Sequence, residues 1–220
     1  MKKDAFIILG AGHFGRRALQ KTSQAFPGAP ITIVDHQQEA LTACQRDYSV
    51  NTVNADGITY LTSHDNEPKQ YLWIIPSIPI HVVFEWSKTQ LTQAVCHITV
   101  PDEILQQLPN PVSGKQGTVY MSHADFRCPD NCPEPLDHCF VTGQPRTIAL
   151  YEQLAALNNP LYLSIVIQSH QLMPGVGGFK FDDLKNILPQ IESSTKPVLL
   201  STACRCHGVM NGFSNVQLSI

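Results

Sequence analysis

The chain has 220 residues, of which 43% are hydrophobic and 15% charged, and its formal net charge is −3. That length is enough to bury the core of one large or two small domains, and the charge balance excludes a general attraction to nucleic acid or anionic lipid. A membrane span is excluded on composition, because the longest apolar run, Tyr71–Trp86, is interrupted by Pro76 and Pro79 and carries His81 and Glu85.

The opening Met1–Asp4 followed by Ala5–Leu9 is too short in its apolar part for a signal peptide and lacks a small-residue cleavage site, so the expectation is a cytoplasmic protein. Lys3–Leu9 reads as a buried strand. It runs directly into Gly10-Ala11-Gly12-His13-Phe14-Gly15, a G-x-G-x-x-G turn. Gly10 permits the tight turn, Gly12 lets a pyrophosphate come close to the backbone, and Gly15 lets the next helix pack near the strand. That helix places Phe14, Ala18 and Thr22 on one face and ends at Pro27-Gly28. Ile31–Asp35 is a second strand, and Asp35 falls about twenty residues past Gly15, where a carboxylate accepts the ribose hydroxyls of an adenosine. The cofactor-binding set is therefore Gly10, Gly12, His13, Phe14, Gly15 and Asp35. Asp35 repels a 2′-phosphate and favours NAD, while His36 beside it leaves NADP open. A helix over Glu39–Arg46 and strands at Ser49–Asn54, Tyr71–Ile75 and Ala94–Val100 follow, with a helix from Pro79 through Leu91. This alternation implies an α/β fold with a Rossmann-like, doubly wound, mostly parallel sheet.

Residues 1 to 110 resemble the NAD(P)-binding Rossmann module of potassium-conductance regulators and related proteins. Gly10, Gly12, Gly15 and Asp35 carry the resemblance, with Asp56 after the third strand as a weaker element. It implies a bound dinucleotide, and a homodimer that biases an attached partner. The resemblance stops where the proline- and glycine-rich stretch Leu108–Gly117 marks a domain boundary. The expected division is a dinucleotide-binding domain over 1–110 and an α/β, cysteine-rich half over 111–220.

In that second half Gly114–Gly117 reads as a solvated hairpin turn and Thr118–Ser122 as a short strand. A proline-rich loop spans His123–Pro145, and a helix covers Thr147–Leu157. Leu161–Ile167 is a strongly apolar strand, and Met173–Phe179 is a loop whose Gly175–Gly178 either cradles an anion or makes a tight turn. A helix over Asp182–Glu192, a strand over Pro197–Thr202 and an irregular or edge-strand tail over Met210–Ile220 complete the pattern.

Five of the seven cysteines form two groups: Cys128, Cys132 and Cys139 as C-x3-C-x6-C, and Cys204-Arg205-Cys206-His207 as C-x-C-H. Cys44 and Cys96 read as small buried hydrophobes. If the strands ending at Ser122 and Thr202 run parallel in one sheet, both groups emerge at its carboxyl edge, beside the glycine loops. Clustered thiols in a reducing compartment point to metal or redox chemistry rather than structural disulfides. The candidate ligands Cys128, Cys132, Cys139, Cys204 and Cys206 suit an iron–sulfur cluster or zinc, with a redox disulfide such as Cys128–Cys132 as the other reading. Arg127, Arg146 and Arg205 offer charge compensation, and His123, His138 and His207 are auxiliary candidates.

G-x-S-x-G, H-E-x-x-H and Walker-type motifs are absent from the sequence, which leaves hydrolytic and phosphoryl-transfer chemistry without support; no catalytic acid or base stands out. The functional expectation is an NAD(P)-binding protein coupling the dinucleotide to a cysteine-ligated iron–sulfur or zinc centre, an oxidoreductase if it is an enzyme. The alternative is a non-enzymatic module sensing NAD(H) or redox state.

Overall fold

The computed structural model describes residues 4–63, 72–91 and 95–214. Lys3, Tyr71, Ala94 and residues 215–220, which the sequence assigns to strands or to the tail, lie outside them. In chain order the elements begin with β1 (Ala5–Leu9), α1 (His13–Ala25), β2 (Ile31–Asp35), α2 (Gln38–Asp47), β3 (Asn51–Asn54), α3 (Gly57–Ser63) and β4 (Leu72–Pro76). Next come α4 (Val82–Gln90), β5 (Cys96–Ile98), α5 (Asp102–Leu105), β6 (Val112–Ser113) and β7 (Val119–Ser122). A long stretch without regular structure leads to α6 (Leu150–Ala155), β8 (Leu163–Gln168), β9 (His170–Met173) and β10 (Val176–Lys180). The described chain closes with α7 (Phe181–Glu192), β11 (Val198–Ala203) and β12 (His207–Ser214).

The fold is α/β, built on two sheets. The first has the order β3-β2-β1-β4-β10-β9; its first four strands are parallel, and the β9–β10 hairpin adds antiparallel to β4. The second has the order β6-β7-β12-β11-β8, with β5 also paired to β12. Only β11 and β8 are parallel neighbours there; every other pair is antiparallel.

Residue periodicity explains the layering. In β1, Phe6 and Ile8 point to one face and Ile7 and Leu9 to the other, and all four are buried, so the strand reads as an unbroken apolar run. The Phe6/Ile8 face packs on Ala18 and Leu19 of α1 and on Leu41 and Cys44 of α2. The Ile7/Leu9 face meets α4 and α7, which fill the space between the two sheets; Trp86, Phe84, Phe181 and Leu184 pack there against Ile165, Val198 and Leu200 of the second sheet. The outer face of the second sheet is covered by Ile104 of α5 and by Leu150 and Leu154 of α6.

Four expectations are corrected. The strand around Cys96 is not a fifth parallel strand beside β4; it pairs antiparallel with β12 in the second sheet, and Cys96 is exposed rather than buried. The tail from Met210 is no irregular edge: residues to Ser214 complete β12, which has neighbours on both sides and is buried over its last five residues. The loop at Met173–Phe179 is a hairpin. A Cβ on Gly178 would sit 2.8 Å from the Ile74 carbonyl oxygen, so the glycines that suggested a loop let β10 lie close against β4. Finally, Phe14 does not share the buried face of α1, which is formed by Gly15, Ala18, Leu19 and Thr22; Phe14 is 58% exposed.

His81 joins the inter-sheet layer to the second sheet. It is buried, with Nδ1 2.9 Å from Asn211 Oδ1 and Nε2 2.9 Å from Thr202 Oγ1. The Nδ1–H donates to the amide oxygen, so Nε2 accepts from the threonine hydroxyl, and Asn211 Nδ2 donates onward to Thr118 Oγ1 at 2.9 Å. Burial lowers the His81 pKa to about 4, against a smaller opposing effect of the Asn211 hydrogen bond, and the ring is neutral.

Candidate functional site

The turn after β1 has the geometry its glycines dictate. Gly10 sits at φ +98°, in the left-handed region. A Cβ on Gly15 would fall 1.8 Å from the Gly10 carbonyl oxygen, so α1 can start over the end of β1 only with glycine there. A Cβ on Gly12 would meet nothing within 4 Å, which leaves the face of the turn open. Asp35, at the end of β2, clamps the turn: Oδ2 accepts the Ala11 N–H at 2.6 Å and Oδ1 accepts the Gln37 N–H at 2.8 Å. Both interactions are charge-assisted, and they fix the end of β2 to the glycine loop. Asp56 caps α3, its Oδ1 accepting the Thr59 N–H at 2.9 Å. His13 and Phe14 stand exposed on the first turn of α1.

The cysteines converge. Strands β7 and β11 are each antiparallel to β12 and therefore parallel to one another, so residues 123 onward and 204 onward leave the same edge of the second sheet. Cys128, Cys132, Cys139, Cys204 and Cys206 all line one cavity of about 590 Å³, and Phe14 from the glycine-loop side lines it too. Gly175, Val176 and Gly177 of the β9–β10 hairpin form part of the same wall. None of the cysteines is in a disulfide.

Non-local contacts hold the cysteine loop in place. The Cys132 carbonyl accepts the Gly175 N–H at 3.0 Å and Gln171 Nε2 at 2.7 Å. The Asp130 carboxylate lies 2.9 Å from Arg17 Nη1 and 3.9 Å from His13 Nε2 on α1. Glu134 Oε1 accepts the Arg205 N–H at 2.5 Å, which links the loop to the second cysteine group. Arg146 acts as a staple: its guanidinium donates to the carbonyls of Pro135, Leu136 and His138 and, at 3.0 Å, to Cys206 Sγ.

The thiols differ in their surroundings. Cys204 Sγ accepts the N–H groups of Cys206 and His207 at 3.4 Å each and lies 3.9 Å from His207 Nδ1. Desolvation, reinforced by Glu134, nevertheless pushes its pKa up to about 12. Burial raises Cys206 while Arg146 opposes it. Cys128 is raised by burial first and then by the neighbouring Cys132, Cys206 and Cys139, which places these four thiols in one electrostatic group. Cys139 goes the other way, held down by hydrogen bonding with Thr142. Desolvation lowers the pKa of both His123 and His207, which line the cavity, whereas His138 is occupied with Asp137 at 2.7 Å. Among the described residues no three His, Cys, Asp or Glu side chains are gathered tightly enough to hold a single metal ion.

Sequence reasoning named the glycines, Asp35 and all five cysteines, and it placed Arg146 near the thiols only as one of three candidates. It missed Arg17, Asp130, Glu134 and Gln171, which tie the cysteine loop to its neighbours. The i,i+4 spacing of His13 and Arg17 on α1 was the one local sign of a shared cationic face.

These features define an α/β protein with a glycine turn and a thiol-lined cavity on neighbouring sheet edges. The chain belongs to the family described as "Uncharacterized protein, C-terminal domain", whose model matches residues 80–216 and so spans α4 through β12. An uncharacterized protein of Archaeoglobus fulgidus is 29% identical over 220 residues, covering 93% of this chain and 96% of its own length. No solved structure matches the chain. Among the described residues no helix is long and apolar enough to cross a membrane.

Proposed function

We propose that this chain is a dinucleotide-binding redox protein: a Rossmann-like first sheet that takes NAD, coupled to a thiolate-ligated centre in the adjoining cavity. The parallel order β3-β2-β1-β4, with the glycine turn after β1 and an acid at the end of β2, supports the Rossmann-like reading and the role of Gly10, Gly12, Gly15 and Asp35. A dinucleotide whose adenosine lies at Asp35 and whose pyrophosphate crosses Gly12 directs its far end past β4 toward β10, whose Val176 and Gly177 line the cavity.

The observation that carries the proposal is that five cysteines from two segments line one cavity against the first turn of α1. Four thiolates on one zinc ion stand about 3.8 Å apart for zinc–sulfur bonds of about 2.3 Å. Iron–sulfur ligands are instead spread around several atoms, and the prolines directly after Cys128 and Cys132, a step common at iron–sulfur ligands, favour that centre over zinc. Such a centre supplies electron transfer; the protein's own contribution is position and charge, with Arg146 facing Cys206 Sγ to offset thiolate charge.

The test is elemental analysis for iron, zinc and acid-labile sulfide on protein purified without oxygen, together with NADH titration calorimetry. Near-stoichiometric iron with sulfide supports the proposal; zinc without sulfide replaces the electron-transfer reading with a structural metal site. Protein free of metal that also ignores NADH refutes it. Turnover of NADH with an artificial electron acceptor separates an oxidoreductase from a sensing module.

A further inference from the structure

The cysteine loop meets the proposed dinucleotide helix through the carboxylate of Asp130, and its chemistry is that of the ligand. Asp130 presents an anion to His13 and Arg17, two cationic or potentially cationic groups one helical turn apart on α1, immediately after the glycine turn. The Arg17–Asp130 pair is partly buried, with side-chain exposures of 25% and 35%, so solvent screens it only in part. Asp130 is held at Arg17 Nη1, while Arg17 Nε is buried with no hydrogen-bond partner.

The neighbouring anchors give the contact its meaning. Two residues further on, the Cys132 carbonyl is held by Gly175 and Gln171 of the other sheet-edge hairpin. A Cβ on Gly175 would fall 1.7 Å from the Asp130 carbonyl oxygen, so the loop backbone rests directly on the hairpin turn. Cys132 and the Asp130 backbone are thus fixed points, and the Asp130 side chain, through its ion pair, ties the stretch that starts at Cys128 to α1.

We propose that His13 and Arg17 form a phosphate-binding site that Asp130 occupies in the absence of ligand, so that dinucleotide binding and closure of the cysteine loop compete. The inference rests on the dinucleotide reading above. A phosphate entering at the glycine turn brings negative charge to His13 and Arg17 and repels Asp130. Release of the Asp130 side chain frees the Cys128 end of the loop to move about the anchored Asp130 backbone and opens the thiol cavity. The nucleotide therefore reports its presence as access to Cys128.

The experiment compares wild type, Asp130→Asn and Arg17→Gln in the full chain. NADH affinity is measured by calorimetry, and alkylation of Cys128 by N-ethylmaleimide is followed by peptide mapping with and without NADH. If the inference holds, Asp130→Asn binds NADH about fivefold tighter, the effect of removing a competing partly exposed ion pair of about 1 kcal/mol. In wild type NADH accelerates Cys128 alkylation, whereas in Asp130→Asn the rate is already high and indifferent to NADH. Arg17→Gln frees the loop in the same way while weakening NADH binding, which separates loss of the site from loss of the competitor. Equal NADH affinity in wild type and Asp130→Asn, with a Cys128 rate that ignores NADH, overturns the inference and leaves dinucleotide binding standing. Failure of all three proteins to bind NADH overturns both.

Discussion

The buried histidine makes the stability of this fold depend on acid in a way that can be worked through. His81 is neutral between Asn211 and Thr202, with its pKa lowered from 6.5 to about 4. In the unfolded chain it titrates normally, so between pH 6.5 and pH 4 the unfolded state binds a proton that the native state refuses, and stability falls as pH falls through that window. Above pH 6.5 the group is neutral in both states and contributes no slope. The full difference corresponds to about 3 kcal/mol, of which somewhat under half is already lost at pH 5.5. That is a large part of the margin of an ordinary domain. His123 and His207 are also lowered and act in the same direction, so wild type alone does not isolate the effect. His81→Gln does: the amide N–H₂ can donate to Asn211, the amide oxygen can accept from Thr202, and nothing titrates. Urea unfolding at pH 7.5, 6.5 and 5.5 should show wild type losing on the order of 1 kcal/mol more than His81→Gln across that range. Parallel pH profiles for the two proteins would refute the assignment of a neutral buried ring at this position.

Three further substitutions probe the site. Gly15→Ala drives a Cβ into the Gly10 carbonyl and should cost on the order of 3 kcal/mol, seen as a melting temperature lower by about 6–12 °C; an unchanged melting curve would contradict the close crossing of α1 over β1. Gly175→Ala meets the Asp130 carbonyl from a φ of +73°, so the cysteine loop should lift and Cys128 and Cys132 should alkylate faster, with wild-type rates as the refuting result. Arg146→Gln removes the cation beside Cys206 Sγ and should move the pH profile of Cys206 alkylation upward; Arg146→Lys should not restore it fully, since one ammonium cannot serve three carbonyls and a sulfur at once.

What was legible in the sequence was what is local. Gly15 is fixed by its clash with Gly10 five residues before it, and Asp35 acts on Ala11 across one parallel register, so pattern and spacing located both. The meeting of the two cysteine groups was also reachable, because it needed only that β7 and β11 run the same way. Strand partners were not legible. Residues 96–98 form a strand as expected, but three residues say nothing about which edge they join, and β12 mixes Gly, Asn and Ser into a pattern of weak strand propensity. Its Gly212 is explained only in the fold, where a Cβ would sit 2.7 Å from Ile98 Cγ1 and hold β5 away. The Arg17–Asp130 pair spans 113 residues, and nothing in the sequence around Asp130 points to its partner.

The pairing of β10 with β4 and of β5 with β12 also bears on how the chain is made. During synthesis β4 emerges with no neighbour on one side, and it acquires one only when residues 176–180 have left the ribosome, about a hundred residues later. Strand β5 waits longer still, for β12, the final strand of the described chain, which also supplies the second neighbour of β7. The first sheet has all its strands once residue 180 is out, whereas the second does not have its two central strands complete until residue 214 has emerged, so stalled chains that end before β12 are the species that would need a chaperone.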